Sequence, residues 1–141
     1  MVTILTRAAA AAGAADSTGP LAPKAAAGVP DVTFGSRPDP SGDGTVWAKD
    51  RSGEVVAEAH WQSDPGGDTY PKGDTLYVSD YLADGIGARG EASVGIRIST
   101  GGAGDRVHRT KDVAEGTRLY INLCMTNSTG AVCSPGLAVH A

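Results

Sequence analysis

Short runs of alternating apolar and polar residues, separated by turn residues about every ten positions, are the feature that most constrains this chain. The run from Val55 to Gln62 has an apolar side chain at every second position, and the run from Val94 to Ser99 repeats the pattern. No window has helical periodicity. Roughly six to eight such runs predict an all-β fold: a small antiparallel β-sandwich, immunoglobulin-like or barrel-like.

Further strands are predicted between the turn-rich stretches of the chain. A first short strand is expected at Thr45–Lys49, another at Leu76–Leu82 and a weaker one at Arg106–Val113. The stretches DRSGE, ADGIGARGE and TGGAGD are predicted turns, and SDPGGDTYPKGD is a predicted long loop.

The few aromatic residues divide between the two faces of these strands. Trp61 lies on the apolar face and is expected in the core, whereas the adjacent His60 is expected at the surface. Tyr77, Tyr81 and Tyr120 fall on the outer faces. They are interpreted either as a contact surface or as ordinary strand composition.

The only two cysteines, Cys124 and Cys133, fall in the closing stretch LYINLCMTNSTGAVCSPGLAVH. Residues 118–126 alternate between an apolar and a polar face, and Asn127–Gly130 has turn chemistry. Folding the following residues back as an antiparallel strand places Cys124 opposite Cys133, on the face opposite the apolar one. The pattern therefore predicts one disulfide, and closing so short a loop contributes about 2–3 kcal/mol.

The alternatives for the two cysteines are free buried thiols or metal ligands. A zinc site needs about four ligands, and C-x8-C with the distant His60 and His108 matches no common ligand spacing. A disulfide implies an oxidising compartment, so the protein is expected to be exported and extracellular.

The N-terminal residues divide into two segments ahead of the sandwich. Residues 1–27 contain Arg7, an alanine run and a small-residue site at Ala25–Ala27, which favour a signal segment; the alternative is a disordered Ala/Pro tail. Neither is long enough to span a membrane, so no membrane anchor is expected. Residues 28–44 are interpreted as an extended, irregular N-terminal arm, and residues 45–141 as the sandwich domain.

Net charge and motif content narrow the function classes. A formal net charge of −4 argues against nucleic acid and anionic membranes as partners. The string GIGARG matches a dinucleotide fingerprint, but a strand-like run follows it instead of a helix, so a turn is the better interpretation. Residues Asp39–Asp50 resemble a calcium loop, but Pro40 and Gly42 are unusual there, and Asp/Gly turn chemistry explains the segment better.

Catalytic constellations are not evident in the sequence. No serine lies in a nucleophile elbow, and neither cysteine is free if the bridge forms. His60, His108 and His140 have no evident partners, and although paired carboxylate catalysis stays open, nothing selects a pair. We therefore expect no catalytic residue, no metal site and no cofactor.

Three stretches together carry a resemblance to a known family. They are GTVWAKDRSGEVVAEAHWQS, GDTLYVSDYLADGIGARGEASVGI and VAEGTRLYINLCMTNSTGAVCSPG, spanning about residues 45–135. Their shared features are an AxxHW strand, a D-x3-DG-x-G segment and an EGT-x-[LV]-Y-[IVL]-x2-C strand. This combination resembles a family of small secreted actinomycete proteins that includes the adaptor of Streptomyces umbrella toxin particles. Other members carry a further cysteine near the position of Ser79, which this chain lacks.

The resemblance implies a non-catalytic secreted adaptor. In such particles a β-sandwich adaptor links a trypsin-like lectin to the ALF-repeat ring of a large polymorphic toxin. An extended N-terminal arm enters the lectin, and a sandwich edge contacts the ring. On this basis Val29, Pro30, Val32 and Phe34 are the expected partner-binding residues of the arm. The alternatives are a partnerless tail, a stand-alone secreted protease inhibitor that presents the Cys124–Cys133 turn, another extracellular binding protein, and a secreted hydrolase.

Overall fold

The computed structural model describes residues 30–82, 85–101 and 104–141. All regular secondary structure in this part of the chain is β-strand, which confirms the all-β prediction. The signal segment predicted for residues 1–27, and Val29, lie outside the described residues. The strands, in chain order, are β1 (Thr33–Pro38), β2 (Gly44–Lys49), β3 (Val55–Gln62), β4 (Thr75–Asp80), β5 (Gly87–Ala92), β6 (Ile96–Ser99), β7 (Arg106–Thr110), β8 (Arg118–Thr126), β9 (Ala131–Cys133) and β10 (Leu137–His140).

The strands form two antiparallel five-stranded sheets. The first sheet has the order β1-β2-β3-β4-β7, and the second has the order β9-β8-β5-β6, with β10 also paired to β8. The apolar faces of the two sheets enclose one core that draws side chains from both, among them Trp61, Leu76, Leu119 and Leu123. The predicted β-sandwich is confirmed.

Trp61 is the largest side chain that the core encloses completely. It lies on β3 with none of its surface exposed, as its position on the apolar face predicts. Its indole Nε1 donates a hydrogen bond to the backbone carbonyl of His140 on β10, at 3.0 Å. Trp61 therefore connects the first sheet to the last strand of the second.

Strand β5 was not predicted from the sequence pattern. The predicted turn ADGIGARGE in fact contains most of this strand, and the connection to β6 is the turn at Ser93–Gly95. The core-facing residues of β5 are Ala88, Gly90 and Ala92, all small. A Cβ at position 90 would overlap the methyl group of Val78 on the opposite sheet, so glycine permits the close approach of the two sheets here.

The closing hairpin confirms the predicted disulfide. Cys124 on β8 lies directly opposite Cys133 on β9, with their Cα atoms 4.0 Å apart, and the two sulfurs are bonded. The backbone N–H of Asn127 donates to the carbonyl of Gly130 at 2.9 Å and closes the turn. The returning segment is broken into β9 and β10 at Ser134, whose hydroxyl accepts the N–H of Leu123 at 3.0 Å, just before Pro135.

The segment predicted as an irregular arm is part of the sheet. Residues 33–38 are extended, as expected, but they form the edge strand β1, which pairs with β2 from Thr33 opposite Lys49 to Pro38 opposite Gly44. An edge position tolerates Pro38, since proline removes a backbone donor only where a neighbouring strand would need it. Residues 33–38, which the sequence assigns to the arm, therefore form part of the first sheet.

Candidate functional site

The outer face of the first sheet carries an unusual concentration of polar and aromatic side chains. Because strand residues alternate between faces, register fixes which of them become neighbours. Two adjacent rows cross the sheet: Arg37, Thr45, His60, Tyr77 and His108 in one, and Gly35, Trp47, Glu58, Ser79 and Arg106 in the other.

His60 lies under the surface of this face and not on it. Only 6% of the residue is exposed, so the prediction of a surface position is wrong. Its Nδ1 is 2.8 Å from the hydroxyl of Thr45, and its Nε2 is 2.9 Å from Oε1 of Gln62. A neutral ring protonated at Nε2 donates to Gln62 and accepts from Thr45. Both ring nitrogens are thus engaged, and neither is directed at a ligand.

Tyr70 covers His60 from the long loop between β3 and β4. The two rings are stacked with centroids 3.8 Å apart and planes 18° apart. Burial, followed by the nearby carboxylate of Glu58, raises the pKa of Tyr70 above its ordinary value. Tyr70 therefore packs on the outer face of the first sheet, although the sequence predicts only that it lies in a loop.

Hydrogen bonds from the sheet hold this loop in place. Arg106 on β7 donates from its guanidinium to the Ser79 hydroxyl at 3.1 Å and to the carbonyl of Thr69 at 2.7 Å. The same guanidinium carbon lies 4.8 Å from the centroid of the Tyr70 ring, within range of a cation–π contact. The N–H of Lys72 donates to the hydroxyl of Tyr77 at 2.9 Å. These contacts hold the loop against the outer face of the first sheet, where it forms a wall.

Between this wall and strand β1 lies a depression of about 490 Å³, which we call the outer depression. The indole of Trp47 lines it and fills the space that a Cβ at Gly35 would occupy. Glu58, His60 and Tyr70 line it as well, and Arg37 lies at its β1 side. Its volume is within the ordinary range of small-molecule sites.

The predicted arm residues point mainly into the sandwich. Val32 and Phe34 are partly buried and pack against the core of this chain, and Pro30 is buried. The side chains that β1 leaves most exposed are those of Thr33, Ser36, Arg37 and Pro38. The contact of Val32 and Phe34 with a partner stays a prediction.

The predicted outer tyrosines have unequal exposure. Tyr120 on β8 is 48% exposed, and Tyr81 is 46% exposed, whereas only 4% of Tyr77 is accessible because the long loop covers it. Tyr120 lies beside a second, comparable depression on the outer face of the second sheet. There Glu91 accepts from Arg97 at 2.9 Å and lies 3.0 Å from Nε of Arg89.

The resemblance of Asp39–Asp50 to a calcium loop is wrong. The segment contains strand β2, whose six residues span roughly 20 Å and separate Asp39 from Asp50. The Asp50 carboxylate instead accepts hydrogen bonds from the Ser52 hydroxyl at 2.6 Å and the N–H of Glu54 at 3.1 Å. The bond from Ser52 is the main cause that lowers the pKa of Asp50. Asp/Gly turn chemistry accounts for both ends of the segment.

Comparisons with protein families, curated proteins and solved structures found no match to this chain. Residues 30–82, 85–101 and 104–141 include no helix with the length and apolarity that a membrane crossing requires. Within the same ranges, no three or more His, Cys, Asp or Glu residues are grouped as metal ligands. Proposals about function therefore rest on the geometry above and on the resemblance of the motifs.

The hydroxyl of Tyr81 should make the stability of the protein depend on alkaline pH. It donates to Oε2 of Glu58 at 2.6 Å, and burial, reinforced by this bond and by the Glu58 charge, raises the pKa of Tyr81 to about 12. The unfolded chain loses this proton near the ordinary value of 10.0. The stabilisation is fully present below pH 10 and is lost as pH rises towards 12.

We expect the Tyr81→Phe variant to lack this late ionisation in an absorbance titration of tyrosinate. Its free energy of unfolding should also fall less steeply than that of the original protein above pH 10. Glu58→Gln is the matched control, because it keeps an oxygen acceptor but removes the charge; it should move the ionisation towards the ordinary value. Identical titration curves for all three proteins would contradict the assignment.

Proposed function

We propose that this protein is a secreted, non-catalytic adaptor that links a trypsin-like lectin to the ALF-repeat ring of a polymorphic toxin in an umbrella-type particle. The lectin contact is assigned to the N-terminal segment leading into β1, and the ring contact to a free edge of the sandwich. The observation that carries the proposal is the position of β1, which is an edge strand at the point where the N-terminal segment enters the sandwich.

The free side of β1 supports binding by strand addition. Strand β2 pairs with one side of β1, and no strand in the described part of the chain pairs with the other. An unpaired edge presents backbone N–H and C=O groups to which an extended segment of a partner can add. Pro38 and Arg37 limit such pairing near one end of β1, which favours the Thr33–Ser36 end as the contact.

The start of the described chain is attached to the sandwich next to this edge. Pro30 is buried, and the carboxylate of Asp31 accepts a hydrogen bond from Nε of Arg51 in the turn between β2 and β3. The chain therefore meets the sandwich at a defined corner. A partner that binds both the N-terminal segment and the β1 edge would make one continuous interface.

The chemistry of the cysteines and of His60 supports binding over catalysis. Both cysteines are bonded to each other, and both ring nitrogens of the buried His60 have hydrogen-bond partners. A nucleophile and a free general base are what covalent catalysis needs. The disulfide also supports the extracellular location, because such bonds persist in oxidising compartments.

The test is affinity purification of the C-terminally tagged protein from its native culture supernatant, followed by mass spectrometry. We expect recovery of a large repeat-bearing toxin and a trypsin-like lectin. Recovery of the tagged protein alone, from a strain shown to secrete such partners, would overturn the proposal.

A truncated variant then separates the two contacts. A chain that begins at Thr33 behind a cleavable export signal keeps β1 and the core contacts of Phe34, but it lacks Val29, Pro30 and Val32, three of the four predicted lectin contacts. It should retain the toxin and lose the lectin. Removal of residues 28–44 is the poorer design, because it also deletes β1. If the Thr33 variant retained the lectin, the segment ahead of β1 would not be the lectin contact.

A further inference from the structure

We propose that the free edge of strand β7 binds an extended acidic segment of another protein, which adds to the first sheet as a further strand. Strand β7 forms the edge of this sheet opposite to β1. The site therefore lies apart from the β1 edge that supports the adaptor role, and it does not rest on that role. It depends on three features of β7: backbone groups that point outwards, an ordered strand, and a run of basic side chains.

The backbone of β7 leaves alternate residues unpaired on its outer side. Strand β4 pairs with one side of β7, and among the residues that the structure describes no strand pairs with the other side. The N–H of Lys111 donates to the carbonyl of Asp74 at 2.9 Å, so the odd-numbered residues of β7 direct their N–H and C=O groups towards β4. Arg106, His108 and Thr110 consequently direct theirs away from the sheet. Because β7 contains no proline, all three keep the N–H donors that an added strand needs.

Strand β7 is exposed and yet ordered. Four of its five residues are exposed, so its outer side is accessible. The hydroxyls of Thr110 and of Thr75 on β4 are 2.6 Å apart, and the ring centroid of His108 lies 5.5 Å from that of Tyr77. An edge that is ordered before binding loses little conformational entropy when a strand adds to it.

The side chains along this edge are basic, in a chain whose formal net charge is −4. Arg106, Arg109 and Lys111 fall within six residues that contain no carboxylate, and Asp105 and Asp112 lie just outside this run. Cross-strand partners of opposite charge stabilise a sheet, whereas like charges directly opposite each other destabilise it. The run therefore favours an acidic added strand of about the same length.

The positive charges of this run are not compensated within the described ranges. Arg37 of β1 and Arg97 of β6 each lie beside a carboxylate, at 3.7 and 2.9 Å. By contrast, none of the ion pairs between described residues includes Arg106, Arg109 or Lys111. The side chains of Arg106 and Lys111 instead donate to backbone carbonyls. The charges of β7 are therefore available to a partner.

A competing explanation is that the basic residues of β7 only prevent the association of two sheet edges, as charged residues do on many edge strands. Two β7 edges side by side would bring Arg106, Arg109 and Lys111 of both copies together, so a second copy of this chain is a poorer occupant than an acidic segment. Protection alone predicts that no peptide adds to the edge, and this difference can be measured.

The experiment uses the purified full-length protein and a fluorescein-labelled, seven-residue peptide in which glutamate alternates with valine. Fluorescence anisotropy measures binding, and amide hydrogen exchange followed by NMR locates it. We expect saturable binding and slower exchange of the N–H groups of Arg106, His108 and Thr110. The same peptide with lysine in place of glutamate should bind about fivefold more weakly or not at all.

His108→Pro tests the backbone contact, because proline removes the outward N–H of the central residue and no hydrogen bond to β4. We expect roughly tenfold weaker binding of the glutamate peptide. His108→Ala is the matched control, since it removes the side chain, keeps the N–H and should change the affinity little. Circular dichroism checks that each variant folds.

Arg109→Glu tests the charge and keeps the proposal testable if His108→Pro does not fold. It should bind the glutamate peptide about fivefold more weakly. Arg118→Glu makes the same change of net charge on β8, a strand that is paired on both sides, and should bind as tightly as the original protein.

Absence of saturable binding at millimolar peptide, or equal binding of the glutamate and lysine peptides, would overturn the proposal. Equal affinities of His108→Pro and His108→Ala would do the same, as would equal losses in Arg109→Glu and Arg118→Glu, or slower exchange at β1 instead of β7. Sedimentation velocity of the protein alone tests the other occupant. A dimer that His108→Pro abolishes would assign the edge to a second copy and would also overturn the proposal.

Discussion

Replacing Trp61 by alanine should lower the free energy of unfolding by about 3–5 kcal/mol. The side chain is completely buried between the two sheets, and its Nε1 satisfies the carbonyl of His140. The substitution therefore creates a cavity and leaves a polar group without its partner. Small domains have a free energy of unfolding of only about 5–15 kcal/mol, so the substitution should remove a large fraction of it. Urea unfolding followed by circular dichroism measures the change.

Trp47→Ala is the matched control for this prediction, since it makes the same substitution at the half-buried tryptophan on the outer face. Its loss of stability should be clearly smaller. If Trp61→Ala does not fold, Trp61→Phe keeps most of the ring, removes the bond to His140 and should still lose about 1–3 kcal/mol. Equal stability of the Trp61→Ala and Trp47→Ala proteins would contradict the position of Trp61 in the core.

Removing the disulfide should lower the free energy of unfolding by about 2–3 kcal/mol. The double variant Cys124→Ala/Cys133→Ala opens a loop between residues nine positions apart and so increases the conformational entropy of the unfolded chain. Alanine is the appropriate replacement because Cys124 is fully buried, where a serine hydroxyl would need a partner. The midpoint of urea unfolding gives the change.

The control for the disulfide is Ser128→Ala, an exposed position in the same turn, which should have little effect. The unmodified protein treated with a reducing agent should unfold at the same urea concentration as the double variant. An unfolding midpoint that is the same with and without the bridge would show that the hairpin is held by its strand pairing alone.

The strands that could be predicted from the sequence are those with large apolar side chains on one face. In β3 and β8 the alternation is regular, because each strand places every second residue against the other sheet. Pairing in β8 and β9 followed from the turn between them, and that sufficed to place Cys124 opposite Cys133. Local pattern and local turn chemistry determined these elements.

The strands that the sequence concealed lack that signal for identifiable reasons. In β5 the core-facing residues are alanine and glycine, because Val78 on the opposite sheet leaves no room for larger side chains at Gly90. In β1 the sequence TFGSRP contains glycine and ends in proline, and this composition, taken by itself, predicts an irregular segment. Pairing with β2 makes it a strand, and that pairing is a tertiary property.

The candidate site was the part of the structure that the sequence predicted least well. His60 was expected at the surface because it occupies an outward position in β3, yet the loop that carries Tyr70 covers it. No periodicity connects Tyr70 to His60 or to Arg106 on β7, which lies far along the chain. The side chains of β3, β4 and β7 become neighbours only when these strands pair in the sheet.

The sequence by itself determined the all-β class, the disulfide hairpin and the position of Trp61 in the core, because these depend on alternation and turns within short stretches. Only the tertiary structure decided that β1 forms the edge of the first sheet and that glycine at position 90 lets the two sheets approach. It also decided that the loop carrying Tyr70, held by Arg106, covers His60. Those features arise from pairings and contacts between distant segments, which no local pattern contains.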